Sequence, residues 1–215
     1  MNNAFFNMDI DKQQRIINSS FQEFSNYGYT DASTNRIVIK AGISKGSLFY
    51  YFKNKQDLLN FLFKYAIEYL TENYVAKIDT TIPDFFERYK LQRSIKNKIF
   101  TENPFVFSFI SSYYYVYNNE MNLPLEIIEQ LKRLEDKINN SLYQNIDISM
   151  FREDIEISEL FRYFKWLMYG YEKELMIEVG DNNISSVDWN FYLERDYSSL
   201  DNLRRMFYKK DYEEV

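Results

Sequence analysis

The sequence contains neither cysteine nor histidine among its 215 residues. Without cysteine there is no disulfide framework and no thiolate nucleophile, and the composition suits a reducing compartment. Without histidine the chain lacks every Ser-His-Asp arrangement, the usual general base near neutral pH and the commonest zinc ligand. Catalysis would have to rest on carboxylates, lysine or tyrosine. An enzyme is therefore disfavoured, and we expect no metal and no cofactor.

Glycine and proline are scarce, at five and three copies. The glycines form neither a GxGxxG turn nor a GxxxxGK[ST] loop, so no nucleotide-phosphate cradle is recognisable. The most apolar stretch, PFVFSFISSYYYVY, is too short and too rich in hydroxyl groups to cross a bilayer, and the N-terminus has no signal pattern. We therefore expect a cytoplasmic protein with no membrane partner.

The net charge of −6 is distributed unevenly along the chain. Residues 1–60 carry 7 Lys/Arg against 5 Asp/Glu, a balance of +2, whereas residues 61–215 carry 19 against 27, a balance of −8. The first sixty residues are thus the only net-positive part.

Apolar residues recur at helical spacing along the whole chain, and no alternating strand pattern competes. The first helix is predicted over 11–27, with Gly28 as its left-handed cap. Ser33 or Thr34 then caps a second helix that Gly42 stops, and Ser44 caps a third that starts at Lys45. A fourth helix starts at Asn54, and later helices are predicted over roughly 84–100, 104–118, 124–145, 153–179 and 187–211.

The second and third predicted helices, separated by the residues AGIS, form a helix-turn-helix. The fourth helix runs on into the larger half without a linker. We therefore expect an all-α fold in which an N-terminal three-helix helix-turn-helix domain, residues 1–54, is joined by a continuous helix to a larger helical domain, residues 55–215.

The third predicted helix is too short to be stable alone, so Leu48 and Phe52 must pack inward. Gly46 lies inside this helix, where it costs about 1 kcal/mol relative to alanine. A helix end that packs closely against a phosphate backbone needs a residue without a side chain at this point. The alternative is an ordinary solvated face, on which lysines are common and tyrosines cover the core. The combination of these features favours DNA binding.

The stretch STNRIVIKAGISKGSLFYYFKNKQDLL, within residues 11–62, resembles the DNA-binding signature of the TetR family of bacterial transcriptional regulators. The resemblance implies a homodimer that reads double-stranded operator DNA, and a variable C-terminal domain that dimerises and binds a small-molecule effector. Tyr51 stands where the family often has histidine, and Phe49 where tyrosine is common. The expected DNA-binding residues are Thr34, Ser44, Lys45, Gly46, Ser47, Tyr50, Tyr51 and Lys55.

The last two predicted helices carry apolar residues for more than one packing partner. Periodicity leaves open whether both close the monomer core or form a four-helix interface across a two-fold axis, and the resemblance favours the homodimer. Asp196 interrupts the apolar seam of the last helix. The predicted interface residues are Trp166, Tyr169, Met176, Ile177, Trp189, Leu193, Leu200, Leu203 and Phe207.

An aromatic face on the helix predicted over 104–118 could line a ligand cavity and accept a cation against its rings. More often such a face is plain core. The candidate ligand-binding residues are Phe107, Ile110, Tyr113, Tyr114, Tyr117, Trp166 and Tyr169.

The sequence therefore predicts a ligand-responsive DNA-binding transcriptional regulator, favoured as a repressor that a small molecule releases from its operator. Activation is equally compatible with the sequence. The alternative is a helical protein-interaction module that retains the helix-turn-helix only as a fold element. An enzyme using Glu172 and Glu174 has little support, because such acids on a surface helix are usually solvated.

Overall fold

A computed structural model describes residues 3–113, 123–179 and 188–212 of the chain. Over these ranges the architecture is helical, which confirms the predicted all-α class. One isolated antiparallel bridge pairs Phe151 with Tyr208. The helices are α1 Asn3–Phe6, α2 Ile10–Asp31, α3 Thr34–Ala41, α4 Lys45–Tyr51, α5 Lys55–Asn73, α6 Phe85–Glu102, α7 Pro104–Ser112, α8 Leu125–Tyr143, α9 Ile157–Val179 and α10 Trp189–Phe207.

Two features at the start of the chain differ from the sequence prediction. Helix α1 was not predicted. The predicted end at Gly28 is corrected: this residue has a φ of 63° but a ψ of −169°, which is not the left-handed helical conformation, and helical geometry resumes after it as far as Asp31. Glycine therefore allows a kink at this point instead of ending the helix.

The described helices pack as two compact units. The first combines residues 1–73 with 103–137, and the second combines residues 74–102 with 138–215. These two units are groups of residues that pack together. The predicted division after residue 54 instead separates the helix-turn-helix domain from the larger helical domain, and it stays a prediction. None of the described helices is both long enough and apolar enough to span a bilayer.

The core of the first unit is built on one face of α2. Ile16, Phe21 and Phe24 are at most 2% exposed, as their spacing predicted. The ring centroid of Phe109, on α7, lies 4.9 Å from that of Phe21 and 4.6 Å from that of Phe63 on α5. Helices α5 and α7 thus share a core with α2.

The second unit has an aromatic core and a buried arginine. Arg88, on α6, is 0% exposed, and burial lowers the pKa of its guanidinium. The guanidinium donates hydrogen bonds to the carbonyls of Thr80 and Ile82, each at 3.0 Å, and to that of Leu142 at 3.4 Å. Because Leu142 is in the last turn of α8, this cation fixes the end of α8 beside the start of α6. The core of this unit comprises Phe85, Phe86, Tyr89, Leu142, Phe151, Leu160, Phe164, Met168, Leu200, Phe207 and Tyr208.

A second cationic group links three helices of this unit. Arg93 of α6 pairs with Asp196 of α10, and its Nη1 donates to the Glu172 carboxylate of α9 at 2.9 Å. Lys96 Nζ lies 3.2 Å from the same carboxylate. The charge of Lys96, reinforced by Arg93, lowers the pKa of Glu172 to about 2, whereas burial raises the pKa of Asp196. The acidic interruption noted in the α10 sequence is thus an internal ion pair.

Replacing Glu172 by glutamine should make the protein less sensitive to acid. The folded-state pKa of about 2 lies below the ordinary value of 4.5, so the stabilisation is complete above that value and is lost as the pH falls toward 2. Because 38% of the side chain is exposed, we expect this loss to be only about 1 kcal/mol. Urea unfolding over a pH series measures it.

The matched control is Glu174→Gln, which removes an exposed carboxylate from the same helix. This variant should follow the wild type. An unchanged acid dependence in Glu172→Gln would contradict the assigned role of the carboxylate.

Candidate nucleic-acid interface

Local capping fixes the two helices of the helix-turn-helix. The Ser33 side chain accepts a hydrogen bond from the Arg36 N–H at 3.4 Å and caps α3. Gly42 ends α3 with φ 66° and ψ 40°, and its N–H donates to the Ile39 carbonyl at 3.2 Å. Glycine is required here because other residues rarely adopt this left-handed conformation. The predicted cap at Gly42 is therefore confirmed.

Helix α4 is held from both ends. Ser44 Oγ accepts from the Ser47 N–H at 3.1 Å at its start. Leu48 is 1% exposed and Phe52, directly after the helix, is 2% exposed, so both face inward as predicted. Asn54 Oδ1 accepts from the Asp57 N–H at 2.8 Å, while the Asp57 carboxylate accepts from the Lys53 N–H at 3.1 Å. This pair is a variant of the capping box, because the second bond reaches Lys53 instead of the cap residue.

The outward side of α4 is polar, basic and aromatic. Ser44, Lys45 and Gly46 are exposed, Ser47 is half-buried, and 74% of Tyr50 is exposed. Lys45 Nζ lies 6.0 Å from the ring centroid of Phe49. The capped first turn and Tyr50 therefore form one accessible surface, which we call the α4 outer surface.

Gly46 has no internal reason to be glycine. A Cβ built on it would have Ser44 Oγ as its nearest neighbour, at 3.9 Å, which is ordinary van der Waals contact. Its φ is not positive, unlike those of Gly28 and Gly42. Neither backbone conformation nor packing against the described residues thus excludes a side chain at this position.

Two predicted DNA-binding residues are engaged inside the protein. Tyr51 is half-buried, and its ring centroid lies 5.7 Å from that of Phe5 in an edge-on contact. Lys55 Nζ donates to the carbonyls of Tyr29, Thr30 and Ala32 at 2.7, 3.2 and 3.0 Å. Lys55 thus holds the end of α2 beside the start of α5. Thr34, the first residue of α3, is half-buried.

A buried carboxylate that the sequence analysis missed joins α2 to α3. Glu23 is 0% exposed and accepts from the Ser33 N–H and from Arg36 Nε, both at 2.8 Å. The hydrogen bond to Glu23 raises the pKa of Arg36, and the guanidinium also lies 4.3 Å from the ring centroid of Tyr27. Periodicity offered a weak signal, since Glu23 stands beside the buried Phe24. Its partner could not be read from sequence.

A groove of about 300 Å³ lies within the first unit, below the end of α4. Aromatic rings form much of its wall, and the ion pair between Lys64 and Glu126, 3.2 Å apart, lies among its lining residues. The lining residues are Phe6, Tyr51, Phe52, Asp57, Asn60, Phe61, Lys64, Tyr65, Pro124, Glu126 and Ile127.

The candidate ligand-binding residues are divided between the two units. Ile110 is 8% exposed, and Phe107 and Tyr113 are half-buried, all in the first unit. Trp166 and Tyr169 belong to the second unit and are 61% and 51% exposed. Tyr114 and Tyr117 lie outside the described residues.

The candidate dimer residues fall into an exposed and a buried set. Trp166, Tyr169 and Ile177 are exposed on α9, Ile177 by 81%. Leu200 and Phe207 are 0% and 4% exposed and belong to the core of the second unit, which is the alternative that periodicity left open. Leu203 packs against that core, Leu193 is half-buried, and the side chains of Met176 and Trp189 lie outside the described part of the structure.

The known proteins to which this chain is similar are bacterial regulators. The family model described as "Bacterial regulatory proteins, tetR family" matches residues 16–61. The chain is 27% identical over 155 residues to the fatty acid metabolism regulator protein of Bacillus subtilis strain 168, covering 69% of this chain and 71% of that relative.

Two solved structures show the same fold. A TetR family transcriptional regulator from Chloroflexus aurantiacus has a TM-score of 0.61 at 20% identity, over 97% of this chain and 98% of that one. AibR, solved with isovaleryl coenzyme A and operator DNA, has a TM-score of 0.58 at 13% identity, over 87% and 97% of the two chains.

Replacing Gly46 by alanine should stabilise the free protein. The position is exposed, helical and open to a Cβ, so alanine reduces the entropy of the unfolded chain without strain, by about 0.5–1 kcal/mol. Denaturant unfolding of wild type and variant measures the difference. At Gly42 the left-handed backbone predicts the opposite, a destabilised Gly42→Ala variant. Destabilisation by Gly46→Ala would mean that the glycine is needed by the fold.

Proposed function

We propose that the chain is a ligand-responsive repressor of the TetR family of bacterial transcriptional regulators, and that it binds double-stranded operator DNA as a homodimer in the cytoplasm. The observation that carries this proposal is the α4 outer surface, where an exposed lysine and an exposed tyrosine flank a bare glycine. Its relatives are regulators, and we assign it binding without catalysis.

Helix α4 is the proposed recognition helix. Because Leu48 and Phe52 face inward, Lys45 and Tyr50 on the other side of the helix face solvent or a partner. Lys45 supplies the positive charge that pairs with a phosphate. Tyr50 supplies a hydroxyl group and an aromatic ring, and Ser47 supplies a short hydrogen-bonding side chain. The overall charge of −6 does not oppose this, because counterions are released only where cations reach the strands.

Gly46 supports a close approach to the DNA backbone. The free protein has room for a side chain there, so the absence of one needs an external cause. A phosphate backbone pressed against the first turn of α4 supplies that cause, because a Cβ would hold it away. Gly46→Ala should therefore weaken operator binding although it stabilises the free protein.

Lys55 and Tyr51 have supporting roles in this proposal. The three carbonyl partners of Lys55 occupy its donors inside the protein, so we assign it to holding α2 and α5 in register instead of to a phosphate. Tyr51 has its ring against Phe5, and it is assigned to fixing the end of α4. Thr34 remains a candidate phosphate contact at the start of α3.

A second copy of the chain is the proposed partner of an apolar stripe on α9. The stripe comprises Tyr163, Trp166, Leu167, Gly170 and Ile177, whose apolar members are 38% to 81% exposed and recur at spacings of three, four and seven. A Cβ built on Gly170 meets none of the described residues within 4 Å, so another helix can approach closely there. The stripe spans about 21 Å of helix, enough for a self-complementary contact across a two-fold axis.

Acyl thioesters of coenzyme A are the proposed effector class. One relative is named for fatty acid metabolism, and one structural neighbour was solved with isovaleryl coenzyme A. Phe107, Ile110 and Tyr113 stay candidate contacts for the acyl group. In this proposal the effector favours a dimer whose two α4 helices no longer match successive major grooves, about 34–36 Å apart.

Lys45→Ala should weaken binding to the protein's own promoter fragment and flatten its salt dependence. Each lost phosphate contact removes about 0.9 from the slope of log affinity against log salt, so a dimer loses about 1.8. Fluorescence anisotropy across a salt series measures both. Lys132→Ala, which removes an exposed lysine from α8, is the control and should keep the wild-type slope. Equal slopes for Lys45→Ala and wild type would count against the assigned surface.

The same anisotropy assay tests the effector class. Acyl coenzyme A thioesters of increasing chain length are added to the preformed complex, with free coenzyme A as control. The proposal expects release by at least one thioester and none by coenzyme A. A complex that resists the whole series would reject this effector class while leaving operator binding in place.

Trp166→Glu should shift the dimer toward monomer. A carboxylate in the middle of the stripe would have to be desolvated in the interface, which is strongly unfavourable. Sedimentation velocity at micromolar concentration measures the shift. Ile148→Glu, at a residue 61% exposed outside α9, should leave the dimer intact. A Trp166→Glu protein that stays fully dimeric would exclude this face.

A further inference from the structure

The N-terminal helix α1 covers the far end of helix α4. Phe5, in α1, is 0% exposed although it lies only five residues into the chain. Its ring centroid lies 5.2 Å from that of Phe52, 5.7 Å from that of Tyr51 and 5.1 Å from that of Phe61. One side chain outside the helix-turn-helix thus touches the last residue of α4, the residue that follows it, and helix α5.

The backbone around Phe5 is fixed independently of its ring. Gln13, on α2, is 6% exposed, and its Nε2 donates to the carbonyls of Phe6 and Met8 at 3.1 and 2.7 Å. The Met8 N–H donates to the Phe5 carbonyl at 3.2 Å. A buried amide that bonds two carbonyls of one short segment ties that segment to α2. The position of Phe5 is therefore set by α2, the helix on which α3 also packs.

Helix α4 depends on such support because it has only seven residues. A helix of this length is unstable alone, so its orientation is set by the side chains it buries. Within it only Leu48 is buried, and Phe52 follows at its end. The start of α4 is held by the turn at Gly42 and Ser44, and its end is held by Phe52 between the rings of Phe5 and Phe61.

We propose that Phe5 is a positioning residue for operator recognition: it holds the end of the recognition helix at the angle that DNA binding requires. This inference rests on the proposed function. Phe5 touches no DNA in this assignment and acts through Tyr51 and Phe52. Loss of its ring leaves the Ser44 end of α4 in place and loosens the other end.

The test compares four full-length proteins: wild type, Phe5→Ala, Phe5→Leu and Phe6→Ala. Phe6 is the matched control because it is the adjacent aromatic residue, is 39% exposed, and has the rings of Phe5 and Phe61 as neighbours at 5.7 and 5.9 Å. Leucine at position 5 restores most of the buried volume. Circular dichroism first establishes that each variant is folded. If Phe5→Ala is unfolded, Phe5→Leu is compared with wild type in its place.

Amide hydrogen exchange of the free proteins gives a result that does not depend on DNA. Phe5→Ala should speed exchange of the amides of residues 48–52 by about tenfold or more, with a much smaller change within α2. Phe5→Leu should fall between Phe5→Ala and wild type, and Phe6→Ala should match wild type. Wild-type exchange at 48–52 in folded Phe5→Ala would overturn the inference.

Anisotropy with the promoter fragment and with an unrelated fragment tests the link to recognition. Phe5→Ala should lose about tenfold in operator affinity but less on unrelated DNA, because misorientation of α4 removes base contacts first. Faster exchange with unchanged operator affinity would also overturn the inference. If wild type does not distinguish the two fragments, the proposed function fails, and the exchange data still decide whether Phe5 fixes α4.

Discussion

A seven-residue helix that cannot support itself is the constraint on which the rest of the first unit depends. Helix α4 buries Leu48 and is followed by the buried Phe52, and these two side chains leave its opposite side free. Everything that touches this core, including α2, α5 and the short α1, therefore helps to set the direction in which Lys45 and Tyr50 point. The orientation of these surface side chains is therefore set by the buried side chains beneath them.

The second unit is marked by two arginines, Arg88 and Arg93, that are largely removed from solvent. Arg88 is surrounded by backbone carbonyls, whereas Arg93 lies between two carboxylates from different helices. A buried charge needs all its partners, so each arginine restricts how the neighbouring helices can be arranged. We infer that these contacts select one arrangement of the helices and add little to the free energy of unfolding.

Local features of the fold could be predicted, and long-range partners could not. The caps at Ser33, Gly42 and Ser44 and the inward faces of α2 and α4 follow from residue types at fixed spacing. The sequence predicts Lys55 as a DNA-binding residue, because nothing in its own sequence neighbourhood shows that three carbonyls lie 23 to 26 residues earlier. Leu200 has the spacing of an interface residue, but periodicity identifies a packing face without identifying what covers it.

The distribution of indole groups has a practical consequence. The chain has two tryptophans, Trp166 and Trp189, and both belong to the second unit, whereas the first unit contains tyrosine and phenylalanine alone as its aromatic residues. Emission excited at the red edge of the absorption band therefore reports on the second unit only. Melting confined to the first unit would involve no indole group and would not change that signal directly.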